Sequence, residues 1–268
     1  QNSVGRMFLA AIIPAWISIT LLIAYVVISC KFNPKKAPLG TGAESSMTGT
    51  EKIRTARDGM FSLLLIVAVL GSIITGIATP TESGAIGVVG AILLAIVFKR
   101  FRFEMFKSSG FETAMLVSVS MWIILGASLF SNFHMLSGVQ NMVAQITQDL
   151  GLPPLGVIIL LQVIMLLLGF IIDELIIVLM CAPLFTPIVV SLGYDPIWFG
   201  ILMIVLIEMA LITPPVGLNL YVVQGARKSG SLNEVMLGAL PYCLTMLAMA
   251  FLLIGFPGIA LFLPNFLR

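Results

Sequence analysis

Long apolar runs separated by short polar gaps dominate this chain, and their length decides its class. A helix needs about 20 mainly apolar residues to cross a hydrocarbon layer of roughly 30 Å. Residues 7–29, 59–78, 83–98 and 113–131 are predicted crossings on that criterion. Two further apolar blocks, 155–192 and 197–223, are each interrupted by polar or helix-breaking groups, and a last run fills 231–268. Between the first two crossings, Pro34, Pro38, Gly40 and Gly42 predict a loop, followed by a short amphipathic helix over 50–57. Residues 101–111 and 135–150 read as two more amphipathic connectors, the second carrying Gln140, Asn141, Gln145, Gln148 and Asp149. Such helices usually lie in the interface instead of crossing it.

Composition agrees with the pattern. Of 268 residues, 59% are hydrophobic and 10% charged, against roughly 25% charged in soluble domains, so the expected class is an all-α, polytopic membrane protein. The net charge of +2 comes without a basic stripe or an aromatic platform, which argues against nucleic acid as a partner. Short cytoplasmic loops collect Lys and Arg. Lys31, Lys35, Lys36, Lys52, Arg54 and Arg57 therefore place one loop inside, and Lys99, Arg100, Arg102 and Lys107 a second. Residues 59–98 must cross twice between them, with the turn Thr79-Pro-Thr-Glu-Ser-Gly84 at the outer side or part-way down. Residues 135–150 carry no Lys or Arg and fall outside, whereas Arg227 and Lys228 should be inside again. That parity holds only if one apolar block re-enters. The block 155–192 is predicted to dip and return as a hairpin, leaving 197–226 as a single broken helix.

A weak internal repeat points the same way. Phe8-Leu-Ala-Ala-Ile-Ile-Pro14 aligns with Val235-Met-Leu-Gly-Ala-Leu-Pro241, each in an apolar helix, one running toward an inside loop and one away from it. Opposed copies are the mark of an inverted-topology repeat. Residues 1–30 then read as the last helix of an earlier repeat, and the chain, which starts at Gln1 with no signal-peptide pattern, reads as part of something longer. The expected parts after it are 31–112 (inside loop, connectors and two scaffold helices), 113–152 (scaffold helix and interfacial arm), 153–230 (transport region) and 231–268 (C-terminal transmembrane helix).

The two interruptions carry the chemistry. Gly169-Phe-Ile-Ile-Asp-Glu174 puts two carboxylates inside a block that, apart from Gln162, is otherwise apolar from 157 to 180. Charges at bilayer depth are costly and usually face a cavity or a cation. Asp173 and Glu174 read either as part of an ion site at a hairpin tip or as solvated groups at headgroup depth. In Thr213-Pro-Pro-Val-Gly217, Pro214 and Pro215 remove two amide donors and turn the preceding residue out of helical geometry. Several carbonyls lose their partners and suit a small hard cation, to which Thr213 and Asn219 add side-chain oxygens; a plain proline kink is the alternative. Glu208 has either a coupling or a hydrogen-bonded structural role, and Glu82 is a solvated loop charge or an N-cap neighbour. His134 has no ligand partners nearby, and Cys30, Cys181 and Cys243 have neither metal nor disulfide spacing, so no transition-metal site is expected. No hydrolase, metalloprotease or phosphate-loop signature occurs, and an enzyme is not expected.

Gly169-Phe-Ile-Ile-Asp173, Ala182-Pro-Leu-Phe-Thr-Pro-Ile188, Leu192-Gly-Tyr-Asp-Pro-Ile-Trp-Phe-Gly200 and Glu208-Met-Ala-Leu-Ile-Thr-Pro-Pro-Val-Gly-Leu-Asn-Leu220 together resemble the C-terminal half of the large membrane subunit of tripartite ATP-independent periplasmic (TRAP) transporters. The turn Thr79-Pro-Thr-Glu-Ser-Gly-Ala85 is similar to that family's as well. The resemblance implies an elevator-type, inverted-repeat fold like that of the ion transporter superfamily, with a re-entrant hairpin and a broken helix. It implies sodium-coupled import of organic acid anions (four-carbon dicarboxylates, keto acids or sialic acid) across the bacterial inner membrane. The implied partners are a small four-helix membrane subunit, a periplasmic solute-binding protein and the lipid bilayer. Carried over by position, the sodium ion would involve Gly169, Phe170 and Asp173 with Thr213, Pro214, Val216 and Gly217. Pro215 and Asn219 would face the substrate cavity, and Glu174 and Glu208 are candidates for coupling. A divalent-anion/sodium symporter of related inverted-repeat fold, needing no binding protein, is the alternative reading.

Overall fold

The computed structural model describes residues 4–33, 49–138, 142, 145, 149, 151–172, 174–214, 217–227 and 230–267; the side chains at 49–58, 131, 134, 135 and 218 lie outside that description. The predicted loop over 34–48, most of the arm over 135–150 and the side chain of His134 are therefore outside it too. The described residues form ten helices and no strand: α1 (Val4–Phe32), α2 (Gly49–Ile74), α3 (Pro80–Val97), α4 (Phe103–Leu136), α5 (Pro154–Gly169), α6 (Glu174–Ser191), α7 (Pro196–Ile212), α8 (Leu218–Ala226), α9 (Leu232–Gly255) and α10 (Gly258–Phe266). Five of them are long and apolar enough to cross a membrane: α1, α3, α4 over Phe103–Phe130, α6 and α9. Their outward faces carry large apolar side chains, such as Met115, Leu116, Trp122 and Leu129 of α4. Water would penalise that arrangement and lipid does not. The chain is a multi-pass membrane protein.

The chain divides into two compact units, residues 1–9 with 24–115, and residues 10–23 with 116–268. In the first, α2 and α3 pack as a hairpin. The predicted turn at 79–84 is a helix start. Thr79 is its N-cap, Pro80 occupies the first turn, and Glu82 completes a capping box by accepting from the Thr79 amide at 2.8 Å. Of its two expected readings, Glu82 is thus the N-cap neighbour, the N3 partner of Thr79. The Ser72 and buried Ser83 hydroxyls meet at 2.7 Å, which satisfies a polar pair between two apolar helices.

The second unit is built around α7. Its sequence is apolar on all sides but for Glu208, and Ile197, Trp198, Phe199, Leu202, Leu206 and Ala210 are among its buried residues. Helices α5, α6, α9 and α10 pack against it. Helix α5 offers Val157, Ile158, Leu161 and Met165, and α6 offers Ile177, Cys181, Phe185 and Ile188. Both sets recur at the three- and four-residue spacing of one helical face.

Three boundaries differ from the sequence expectation. Residues 49–74 make one helix, where a short amphipathic helix over 50–57 and a separate crossing from 59 were expected, because Gly59 weakens a helix without ending it. Residues 103–136 make one helix, where an interfacial connector over 101–111 and a separate crossing were expected. Polarity near its start sets where the helix meets water but does not end it, and Gly110 in its interior costs only about 1 kcal/mol. The final run is two helices, α9 and α10, because Pro257 has no amide to continue α9.

Candidate functional site

The stretch from Leu192 to Gly200 explains how α7 is held. Gly193, at φ +87°, ends α6: its amide bonds Val190 at 3.0 Å, and that of Tyr194 bonds Val189 at 3.1 Å. This Schellman arrangement needs the left-handed conformation that glycine adopts freely. Asp195 then caps α7 by accepting from the Ile197 amide at 2.7 Å, with Pro196 in the first turn. Trp198, fully buried and stacked on Tyr194, donates its indole N–H to the Leu253 carbonyl of α9 at 2.8 Å. The helical donor to that carbonyl belongs to residue 257, which is proline. The indole fills the gap.

At its other end α7 comes apart. Thr213 is extended (φ −95°, ψ 128°), as a residue before proline tends to be. The Met209 carbonyl accepts from the Thr213 hydroxyl at 2.6 Å, Ala210 from the Thr213 amide at 3.2 Å, Ile212 from the Cys243 thiol at 3.4 Å, and Thr213 from the Gly217 amide at 3.1 Å. Leu211 alone among these carbonyls has no described donor, since residue 215 is proline. Its oxygen lies 2.8 Å, and that of Thr213 3.0 Å, from where a Cβ on Gly217 would stand. Only glycine fits there. The Thr213 hydroxyl sends its single proton to Met209, which leaves both lone pairs of that oxygen for another partner.

The hairpin tip adjoins this break. Helix α5 tightens as it ends, the Phe170 amide reaching Leu167 at 3.4 Å and those of Ile171 and Ile172 reaching Leu168 at 2.9 and 2.8 Å. A Cβ on Gly169 would stand 2.6 Å from Ala210 Cβ, so the α5 backbone packs directly against the Ala210 methyl of α7. Ala210 is three residues, about one turn, before Thr213. Gly169 is thereby packed about one helical turn from Thr213, where the break begins. Asp173, Pro215 and Val216 lie outside the described residues.

Two of the cavities beside α7 are lined by Glu208. One of about 300 Å³ is lined by Glu174, Val178, Ile204 and Glu208, among others. The second, about 500 Å³, is lined by Glu208, Asn219, Arg227, Glu234 and Tyr242 among others. Glu208 thus borders both, Glu174 the first and Asn219 the second. Arg227 pairs with Glu234 at 3.0 Å across the turn between α8 and α9, and the Gln224 amide donates to the Gly230 carbonyl at 2.9 Å. The sequence assigns Cys243 neither a metal nor a disulfide role and does not single out Leu211. A cysteine on an apolar helix carries no signal of a bond to a distant peptide, whereas Pro215 four residues after Leu211 does mark an orphaned carbonyl.

The family model described as "Tripartite ATP-independent periplasmic transporter, DctM component" matches residues 1–259. The chain belongs to this DctM family. Its relatives include the C4-dicarboxylate TRAP transporter large permease protein DctM of Pseudomonas aeruginosa, 34% identical over 268 residues, which cover 100% of this chain and 61% of the relative. The sialic acid TRAP transporter large permease protein SiaM of Vibrio cholerae is 28% identical, with 99% and 61% covered. The ectoine/5-hydroxyectoine TRAP transporter large permease protein UehC of Ruegeria pomeroyi is 28% identical, with 99% and 60% covered. The chain thus spans about three fifths of the length of these relatives. Membership selects the TRAP resemblance over the divalent-anion symporter, and DctM relatives are permease subunits, not enzymes.

Proposed function

We propose that this chain is the ion-coupling part of a TRAP large permease that imports an organic acid anion across the bacterial inner membrane on a sodium gradient. A small four-helix membrane subunit and a periplasmic solute-binding protein are its partners in this reading. The observation that carries the sodium assignment is the set of oxygens at the α7 break: a Leu211 carbonyl with no donor among the described residues, the adjacent Thr213 carbonyl, and a Thr213 hydroxyl that accepts from none of the described residues. Unwound carbonyls and half-helix C-terminal ends are how transporters hold a coupling cation. Gly169 and Phe170 contribute the hairpin side, and Asp173, Pro214, Val216 and Gly217 complete the predicted set.

Substrate would lie on the side of Asn219 and Pro215, toward the cavity of about 500 Å³. C4-dicarboxylates and sialic acid, named for two of the relatives, are both carboxylates. Ion binding would join the hairpin tip to the broken helix and offset negative charge on Glu174 and Glu208, which favours a carboxylate nearby. An elevator movement of the loaded unit then delivers both. Helix lengths are in keeping with a broken crossing: α7 spans about 26 Å and α8 about 14 Å, so only together do they exceed a layer of roughly 30 Å.

The test uses the full transporter containing this chain, with its partners, in liposomes. Uptake of a C4-dicarboxylate presented by the binding protein should need an inward sodium gradient, which an equal potassium gradient does not replace. Thr213→Ala should raise the half-saturating sodium concentration about tenfold. Undiminished uptake with unaltered sodium dependence in that variant would remove the break from the mechanism.

A further inference from the structure

The break at the end of α7 holds one group that the ion reading leaves unused. The thiol of Cys243 is buried on α9. Its sulfur lies 3.4 Å from the Ile212 carbonyl oxygen, to which it donates, and 3.5 Å from the Thr213 hydroxyl. One side chain of α9 therefore engages both the last peptide of α7 and the first side chain of the break. The threonine proton has two acceptors in reach, the Met209 carbonyl at 2.6 Å and the Cys243 sulfur at 3.5 Å. Sulfur is the weaker acceptor, so the proton goes to Met209 and the thiol hydrogen goes to Ile212.

We propose that Cys243 is a positioning residue for the cation site, fixing the Ile212–Thr213 peptide from α9 so that the oxygens of the break are already aimed when the ion arrives. The proposal rests on the reading that this break binds sodium. A peptide left loose would have to be ordered by the ion itself, and that cost appears as weaker binding. The same bond also gives the Ile212 carbonyl a donor at a depth where water is scarce.

The experiment compares C243A and C243S with the parent in the full transporter, reading the half-saturating sodium concentration and the maximal uptake rate separately. C243A should raise half-saturation about five- to tenfold, with the maximal rate within twofold of the parent. C243S keeps a donor and should return half-saturation to within twofold. The proposal is overturned if C243A keeps the parent's half-saturation, if C243S weakens sodium as much as C243A, or if only the maximal rate falls. Should C243A prove too unstable to purify, C243S decides together with the parent's own thiol: sodium, but not potassium, should slow alkylation of Cys243 by N-ethylmaleimide about tenfold, as a site closed by its ion is shielded. An alkylation rate indifferent to sodium, or a C243S half-saturation raised tenfold, overturns it equally. The two levels separate cleanly. Parent uptake without sodium dependence sinks the underlying reading, whereas sodium-dependent uptake that C243A leaves unchanged sinks only the role of Cys243.

Discussion

Gly169→Ala loads the tightest contact in the site. The new Cβ would stand 2.6 Å from Ala210 Cβ, about 1 Å inside the separation of about 3.5–4.0 Å at which carbon atoms rest. Neither atom can rotate away, because each is fixed to a helical backbone. Relief requires the end of α5 to move off α7. Overpacking of this kind costs about 1–3 kcal/mol, or a factor of about 5 to 150 where the whole cost falls on the ion-binding arrangement. The assay is half-saturating sodium for uptake by the full transporter, with thermal unfolding in detergent as a parallel reading. Ala210→Gly removes the opposing methyl, at about 1 kcal/mol for glycine inside a helix. The double variant should therefore bind sodium more tightly than Gly169→Ala alone. A double variant no better than the single one, or a single variant indistinguishable from the parent, would refute the claim that the hairpin tip and the broken helix meet at these residues.

Two further outcomes follow from the same accounting of donors and space. Trp198→Phe strands the Leu253 carbonyl and should lower stability by about 1–3 kcal/mol, visible as a drop in the unfolding temperature of the purified transporter, while half-saturating sodium stays within twofold. Gly217→Ala meets backbone oxygens of Leu211 and Thr213 at 2.8 and 3.0 Å. It should abolish sodium-driven uptake, and no second substitution of a side chain should restore it, since the obstruction is main chain.

The proline-marked break was the most legible part of the sequence, because the absence of two amides dictates which carbonyls are orphaned whatever the fold. The end of α5 at Gly169 was legible for a related reason, as a small residue and two carboxylates interrupt an apolar run. Pro257 carries the same kind of signal, a missing amide, and it outweighs the apolar length that by itself predicts one helix over 231–268. The connector over 101–111 was misjudged because amphipathic composition describes depth, not continuity, and nothing between Phe103 and Leu136 breaks the ladder. The Asp195-Pro-Ile-Trp-Phe-Gly200 string identified the family, yet its job depended on Leu253, 55 residues from Trp198. Such pairings exist only once the helices are assembled. Cys243 belongs with them, as its partner Ile212 is 31 residues away.

Helix α7 is pinned at Asp195 and Trp198 and unravels past Ile212. Amide hydrogens along it should consequently exchange with deuterium in a graded order, slowest in the turn beside the indole and fastest beside Thr213. A pillar that is stiff at its foot and pliant at its tip confines structural change to the end where the ion is read.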